Sequence, residues 1–335
     1  MAVRAVQDRE KDSRYDSVVE EIKRGNRFLV ISHTSPEGDA VGSTIGLSLA
    51  LRAIGKEVTS FLEDPVPEVF RFLPGADAVT DTLGSGEGYD AVFAVDCGDK
   101  KRLGKQFNAL DGWKTIINID HHRTNDQYGD INVVDPDACA AGEMIFDLVQ
   151  AASIEMTKGI AENLYVAIHT DTGSFRYSAT SPEAFRKAGA LVECGVDPWE
   201  ISQQVYESYP LERLQLLSRV LGTLDRSDGG EITSMVVTRK TMEEFNATGE
   251  LLEGFINFAR SIKGVKVAII FKEIEADNYR VSFRSKGAID VASVAHSFGG
   301  GGHINAAGCS VEGPLDEVRA KVMSSTAAAV KGGTP

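Results

Sequence analysis

Three short apolar runs in the first part of the chain each end in a residue that can bind a metal or carry a proton. Phe28-Leu29-Val30-Ile31 passes through Ser32 into His33, and Ala91-Val92-Phe93-Ala94-Val95 runs straight into Asp96. Thr115-Ile116-Ile117 leads through Asn118 and Ile119 into Asp120-His121-His122. Near-continuous apolar runs of this length mark strands buried on both faces, as in a parallel sheet covered by helices. Open α/β sheets collect their ligands at the carboxyl ends of their strands. Packing does not require His or Asp there, because a buried charge is costly unless it is paired or bound to metal. The three strand ends therefore point to one shared site.

The junction after His33 carries further candidates. The chain turns through Thr34-Ser35-Pro36-Glu37-Gly38-Asp39 and enters a small-residue helix, Ala40 to Leu51. Such a turn can aim Glu37 back towards His33 while Asp39 addresses a second position. Taken alone, Asp39 reads equally well as a helix cap. Asp171 ends the helical segment Ala161 to Thr170 and precedes Thr172-Gly173, so it too is a carboxylate at an element's end. His169, near the apolar face of that helix, reads as a satisfied core residue.

The rest of the pattern divides the chain. A short amphipathic helix around Val18, Val19 and Ile22 stops near Gly25, Lys56 to Leu62 reads as a strand, and Ala141 to Ala152 as a helix. Helices follow at about 183–194, 198–207 and 211–224, before the turn Ser227-Asp228-Gly229-Gly230. Beyond it, strands (Glu231 to Val237, Val265 to Phe271, Tyr279 to Phe283) alternate with helices (Thr241 to Asn246, Leu251 to Ile262, Asp290 to Ser297). At 335 residues the chain is long for one core, and two domains are expected. Their expected bounds are 14–195 and 227–332, with a helical connector over 196–226 and a cleft between them.

Composition excludes several classes. A balance of 35 Lys+Arg against 49 Asp+Glu, a net charge of −14, argues against gripping long duplex nucleic acid through its phosphates. No apolar run approaches the roughly 20 residues that span a bilayer. Residues 1 to 13 are polar, without apolar period or signal-peptide core, and are expected to form a disordered leader. A cytoplasmic protein without membrane contact is expected. Cys97, Cys139, Cys194 and Cys309 are widely spaced with no C-x-x-C pattern, so buried thiols are expected rather than zinc ligands or disulfides.

In the second domain, Arg284-Ser285-Lys286 ends a strand and Gly299-Gly300-Gly301-Gly302-His303 follows a helix. Four glycines allow close backbone approach and N–H groups that converge on an anion. A flexible turn is the alternative. The run lacks a Gly-Lys-Ser/Thr ending and is no nucleotide P-loop.

Taken together, His33-x-x-Pro36-Glu37-Gly38-Asp39, Val95-Asp96, Asp120-His121-His122, Asp171-Thr172-Gly173 and Gly299-Gly300-Gly301-Gly302-His303-Ile304-Asn305-Ala306-Ala307-Gly308 resemble the DHH phosphoesterase superfamily with its associated C-terminal domain. Within it, the pattern is most similar to small bacterial enzymes that degrade nanoRNA and dephosphorylate 3′-phosphoadenosine 5′-phosphate (pAp). Some of their relatives hydrolyse cyclic di-AMP or its linear product pApA. The resemblance implies one Mn²⁺ on His33, Glu37 and Asp96, and a second on Asp39, Asp96, His121 and Asp171, with Mg²⁺ or Co²⁺ as alternatives. It implies that Asp120 orients the histidines and that His122 faces the scissile phosphate. Arg284, Ser285, Gly300, Gly301, Gly302 and His303 would hold the substrate, and the chain would be a homodimer.

The chemistry agrees. Mixed imidazole and carboxylate donors suit Mn²⁺, and two such ions clamp both oxygens of an in-line displacement. The expected function is hydrolysis of pApA and other short oligoribonucleotides to mononucleotides, and of pAp to AMP. A cyclic di-AMP phosphodiesterase and a catalytically silent nucleotide sensor are the alternatives. One departure stands out. The family usually has Asp where this chain has Glu37, and the added methylene moves the carboxylate by about one bond length, which bears on metal preference.

Overall fold

The computed structural model describes residues 13–84, 88–227 and 229–332. The expected leader, apart from Ser13, and Asp228 of the expected turn lie outside the described residues. The chain forms two compact units, Met1–Ser208 and Tyr209–Pro335. Each is taken by itself.

In the first unit, helix α1 (Asp16–Arg24) leads into β1 (Arg27–Ile31), α2 (Gly38–Ala53) and β2 (Glu57–Phe61). Then come β3 (Val79–Thr80), β4 (Tyr89–Val95), the short α3 (Lys105–Asn108), β5 (Trp113–Asp120) and β6 (Ile131–Val134). Four helices complete it: α4 (Ala141–Ala151), α5 (Lys158–Asp171), α6 (Pro182–Glu193) and α7 (Pro198–Tyr206). The six strands make one sheet in the order β3-β2-β1-β4-β5-β6, every neighbouring pair parallel.

Both faces of this sheet are covered, as the continuous apolar runs predict. Phe28, Val30, Phe93, Val95, Ile117 and Ile119 pack on the side of α4 and α5, among Met144, Ile145, Leu164 and Ile168. Leu29, Ile31, Val92, Ala94 and Ile116 pack on the other side, against Leu103, Phe107 and Leu110. Each such large side chain contributes about 1.5–3 kcal/mol by leaving water.

Register and order together place the strand ends. Ile31 pairs with Ala94 and Val95 with Ile119, so the carboxyl ends of β1, β4 and β5 lie side by side. The strand order reverses between β1 and β4, the position where open α/β sheets leave a crevice for ligands.

Local chemistry starts the helices where they are needed. Ser181 and Asp197 cap α6 and α7 by accepting from the N–H groups of Ala184 (3.1 Å) and Trp199 (2.9 Å), each with proline at the first helical position. Helix α2 lies close against α5. A Cβ added at Gly42 would meet the backbone oxygen of Asn163 at 2.4 Å, so only glycine permits this approach.

The second unit begins with α8 (Leu211–Leu221), β7 (Asp225–Arg226), β8 (Ile232–Val237), α9 (Arg239–Glu244) and α10 (Phe255–Ser261). It continues with β9 (Val267–Glu275), β10 (Asn278–Ser285), α11 (Val291–His296), β11 (Gly301–His303), β12 (Ala306–Glu312) and α12 (Leu315–Val330). Its sheet runs β11-β12-β10-β9-β8-β7, with β8 and β9 parallel and the other pairs antiparallel. Val281 and Phe283 face α11 and α12, while Met235, Val237 and Ile270 face α8 and α10. The strands β3, β6, β7, β11 and β12 and the helices α3 and α12 have no counterpart in the sequence reading. Of the segment 196–226, α7 falls in the first unit and α8 in the second.

Candidate metal centre

The carboxyl ends of β1, β4 and β5 bring the candidates together. His33 Nε2 lies 3.3 Å from Glu37 Oε2 and 3.6 Å from Asp96 Oδ2. His121 Nε2 lies 3.4 Å from Asp96 Oδ1, 3.6 Å from Asp171 Oδ2 and 3.7 Å from Asp39 Oδ2. Two groups of potential ligands result, His33/Glu37/Asp96 and Asp39/His121/Asp171, and Asp96 also groups with His121 and His122. Asp96 therefore stands between the two positions.

Asp96 is held there by an unusual backbone. It is buried, its φ is +51°, and its Oδ1 has no hydrogen-bond partner among the described residues. A non-glycine residue in the left-handed region costs of order 1–3 kcal/mol and persists where the surroundings enforce it. Here the turn from β4 redirects the carboxylate across the strand ends.

The separations suit cations. Donors about 2.1 Å from a shared ion stand about 3 Å or slightly more apart, whereas 3.4–3.7 Å is long for a hydrogen bond. Four carboxylates, Glu37, Asp39, Asp96 and Asp171, face the imidazoles of His33, His121 and His122. Burial works against a charge on His33, but Asp96 and Glu37 outweigh it and push its pKa up to about 10. Burial likewise opposes charge on His121, which Asp96 and Asp39 raise well above the usual histidine value. Asp96 is held well below the usual carboxylate range, its burial outweighed by His121 and His33. Asp39 is raised by burial and by Asp96, and burial pushes Asp171 up to about 7. Divalent ions fit this donor set of crowded carboxylates and imidazoles.

The remaining bonds of these residues fix their aim. His33 Nδ1 lies 2.8 Å from the Thr34 carbonyl and His121 Nδ1 3.3 Å from that of Ala138, which leaves each Nε2 to the centre. Glu37, not Asp39, caps α2, accepting from the Ala40 N–H at 3.2 Å. Asp39 instead caps a helix to which it does not belong. Its carboxylate accepts from the N–H groups of Ala141 (2.6 Å) and Gly142 (2.9 Å) at the start of α4, and from Ser43 Oγ (2.8 Å).

Asp120 is buried behind the centre. Its Oδ1 lies 2.6 Å from His122 Nδ1, and its Oδ2 accepts from Asn125 Nδ2. Burial opposes charge on His122, but Asp120 and then Asp96 raise its pKa. Asn125 also donates to Asn118 Oδ1 (2.8 Å), and Asn118 and Tyr128 both donate to the carbonyl of Cys97 (3.1 and 2.9 Å). This network locks the turn that carries Asp96. Asn118, Asn125 and Tyr128 escape sequence reading because nothing distinguishes them from ordinary loop polar residues.

Asp171 is the last residue of α5, and Gly173, Ser174 and Phe175 after it all have positive φ. The turn folds Phe175 back onto His169 and Tyr165, with ring centroids 5.7 and 6.3 Å apart. His169 is a core residue as expected, but an unsatisfied one. Both ring nitrogens lack hydrogen-bond partners among the described residues, and burial pulls its pKa down to about 4.

The substrate candidates lie in the second unit. Gly301, Gly302 and His303 form β11, paired with β12 as the hairpin Gly301↔Gly308, Gly302↔Ala307 and His303↔Ala306. A Cβ at Gly300 would meet the Gly308 carbonyl at 2.2 Å and one at Gly302 the Ala306 carbonyl at 2.5 Å, so these two glycines serve strand packing. Gly301 has open space where a Cβ would stand. Ser285 is buried, donates to the Ile289 carbonyl (2.7 Å) and accepts from Asn305 (2.8 Å). Its hydroxyl closes the loop over the hairpin. Arg284 donates to the Phe283 carbonyl, and the His303 side chain lies outside the described residues. As expected, Cys97, Cys139 and Cys309 are buried free thiols, while Cys194 is half-buried. No helix among the described residues is long and apolar enough to cross a membrane.

Residues 27–168 match the DHH family, N-terminal domain, and residues 232–329 the DHHA1 domain. The chain is similar to the bifunctional oligoribonuclease and PAP phosphatase NrnA of Thermus thermophilus, 33% identical over 297 residues and 88% of each chain. It is similar to the protein of that name from Bacillus subtilis, 29% identical over 85% of this chain and 89% of that one. Among solved structures, an exopolyphosphatase-related protein from Bacteroides fragilis superposes with a TM-score of 0.86 at 24% identity, covering 95% of this chain and 98% of that one. RecJ of Thermus thermophilus in complex with Mn²⁺ superposes at 0.54 and 16% identity over 98% of this chain and 56% of that one. These two likenesses show a shared fold.

Proposed function

Because the chain belongs to the DHH family, we propose that it is a Mn²⁺-dependent phosphoesterase that cuts pApA and other short oligoribonucleotides to mononucleotides and dephosphorylates pAp. Its relatives named oligoribonuclease and PAP phosphatase support a hydrolase of phosphate esters. The observation that carries the reading is Asp96, whose two oxygens lie 3.6 Å from His33 Nε2 and 3.4 Å from His121 Nε2, one in each ligand group.

His33, Glu37 and Asp96 would hold one ion, and Asp39, Asp96, His121 and Asp171 the other. When bound, a pair of divalent ions supplies Lewis-acid stabilisation of phosphoryl oxygens and lowers the pKa of water. The RecJ structure with Mn²⁺ supports the choice of metal. His122, its Nδ1 engaged by Asp120, offers Nε2 to a phosphoryl oxygen, and Asp120 keeps that tautomer. Arg284 and the β11 hairpin with His303 would bind the terminal phosphate or base. The packing of Gly300, Gly302 and Ser285 leaves those three an indirect part, shaping the hairpin. The homodimer belongs to the same proposal and is read by light scattering.

Rates on pApA, pAp, cyclic di-AMP and a five-residue RNA, with Mn²⁺ and Mg²⁺ side by side, test the reading. We expect pApA to be cut faster than cyclic di-AMP, and faster with Mn²⁺. Faster cleavage of cyclic di-AMP would reassign the substrate. Tight binding of pApA without turnover would make the protein a sensor.

A further inference from the structure

A second buried polar cluster lies beside the metal centre. Glu143, in the first turn of α4, is 5% exposed and Lys187 of α6 is 7% exposed. Lys187 Nζ donates to Glu143 Oε1 (3.1 Å), to the Glu143 carbonyl (3.4 Å) and to Asp147 Oδ2 (2.7 Å), so each ammonium proton has an acceptor. Glu143 Oε2 accepts from the Cys139 N–H at 2.8 Å.

A buried ion pair is weak evidence for a role in stability, since desolvation offsets its attraction. What distinguishes this one is the segment it grips. Cys139 sits between Ala138, whose carbonyl lies 3.3 Å from His121 Nδ1, and the helix start whose Ala141 and Gly142 N–H groups hold Asp39. Ala140, the cap residue of α4, supplies no side-chain bond. The helix start is therefore anchored by Glu143 on one side and by Asp39 on the other. His121 and Asp39 are two of the three members of one ligand group, and no bond of this cluster reaches His33 or Glu37.

We propose that Glu143 and Lys187 are positioning residues that set one cation position, that of Asp39, His121 and Asp171, and not the other. The inference rests on the metal-centre reading above. Lys187 orients the Glu143 carboxylate, which fixes the Ala138–Ala141 segment. That segment in turn holds His121 to one tautomer and Asp39 to one rotamer. Partners of this kind change metal affinity by about 10- to 100-fold.

Mn²⁺ titration of the full chain by calorimetry and electron paramagnetic resonance tests it, apart from any turnover. In Glu143→Gln a single acceptor oxygen faces two donors, the Cys139 N–H and Lys187, so one is lost without loss of volume. We expect Glu143→Gln and Lys187→Met to weaken one class of Mn²⁺ site by about 10- to 100-fold and leave the other within threefold. Asp147→Ala, which removes only the other partner of Lys187, should leave both classes intact. In a Glu37→Gln background, Glu143→Gln should leave no tight site. Equal weakening of both classes, wild-type affinity in Glu143→Gln with native circular dichroism, or an equal effect of Asp147→Ala would overturn the proposal. A wild-type protein that binds no divalent ion would overturn the metal-centre reading itself.

Discussion

His122 and Asp120 are joined through a 2.6 Å contact between Nδ1 and Oδ1, and Asn125 occupies the other oxygen of the same carboxylate. The histidine can therefore turn neither its ring nor its tautomer without breaking a buried bond. His122→Ala is expected to lower kcat on pApA by about 10²- to 10⁴-fold while bound metal stays near the wild-type content by elemental analysis. Asp120→Asn places an amide where a carboxylate accepted, and a loss of about 10- to 100-fold is expected. Metal lost in proportion to activity in His122→Ala would make His122 a ligand.

Glu37 serves two ends at once, a cap on α2 and a carboxylate 3.3 Å from His33. Glu37→Gln keeps an acceptor for the Ala40 N–H and removes the charge. The melting temperature should move little, while the Mn²⁺ position of His33, Glu37 and Asp96 weakens by at least the roughly 10- to 100-fold that loss of an outer-shell partner costs. Wild-type Mn²⁺ affinity in Glu37→Gln, with a loss of about 1 kcal/mol only when Glu37→Ala removes the cap, would show that capping is its main service.

Gly42→Ala tests the packing that brings Asp39 and Asp171 to one place. An exposed helix would gain up to about 1 kcal/mol from the change. Here the new Cβ would lie 2.4 Å from the Asn163 carbonyl, and a net loss of about 1–3 kcal/mol is expected from overpacking. Thermal denaturation reads the sign.

Asp90 supplies an acid-stability test away from the centre. Its carboxylate accepts from Lys114 Nζ (2.6 Å) and from the N–H groups of Asn26 (2.8 Å) and Arg27 (3.0 Å). These bonds, Lys114 first, hold it well below its ordinary value of 3.8. A depressed folded pKa gives stability that is fully present above the unfolded value and is lost as pH falls below it. Denaturant unfolding should therefore show wild type and Asp90→Asn furthest apart above pH 4, converging as the pH drops below 3.8. A constant gap across that range would contradict the assignment.

The parts of this molecule legible in its sequence are those where local pattern and chemistry coincide. Apolar runs ending in His33, Asp96 and Asp120 announced both the parallel sheet and its working edge, because two-sided burial leaves a continuous signature. Asp39 was ambiguous for a physical reason. A carboxylate after a turn caps some helix, and only the tertiary structure shows that the helix is α4. Glu143, Lys187 and Asn125 were invisible, since an isolated charged or amide residue on a helix or loop is ordinarily solvated. The glycine run is ambiguous in sequence, because glycines that let two strands approach look the same as glycines that cradle an anion. Strand β12 and helix α12 were missed because small residues, Ala306-Ala307-Gly308 and the alanines near 327, weaken the period that would reveal them.

The central claim is that Asp96 joins two cation positions into one phosphoesterase centre. Chelator-stripped protein, titrated with Mn²⁺ while AMP release from pApA is followed, tests it most directly. The account predicts no release before metal is added and activity that saturates at two ions per chain, with Asp96→Asn silent throughout. Release without any divalent ion, or two bound ions and tightly bound pApA with no AMP formed, would contradict it.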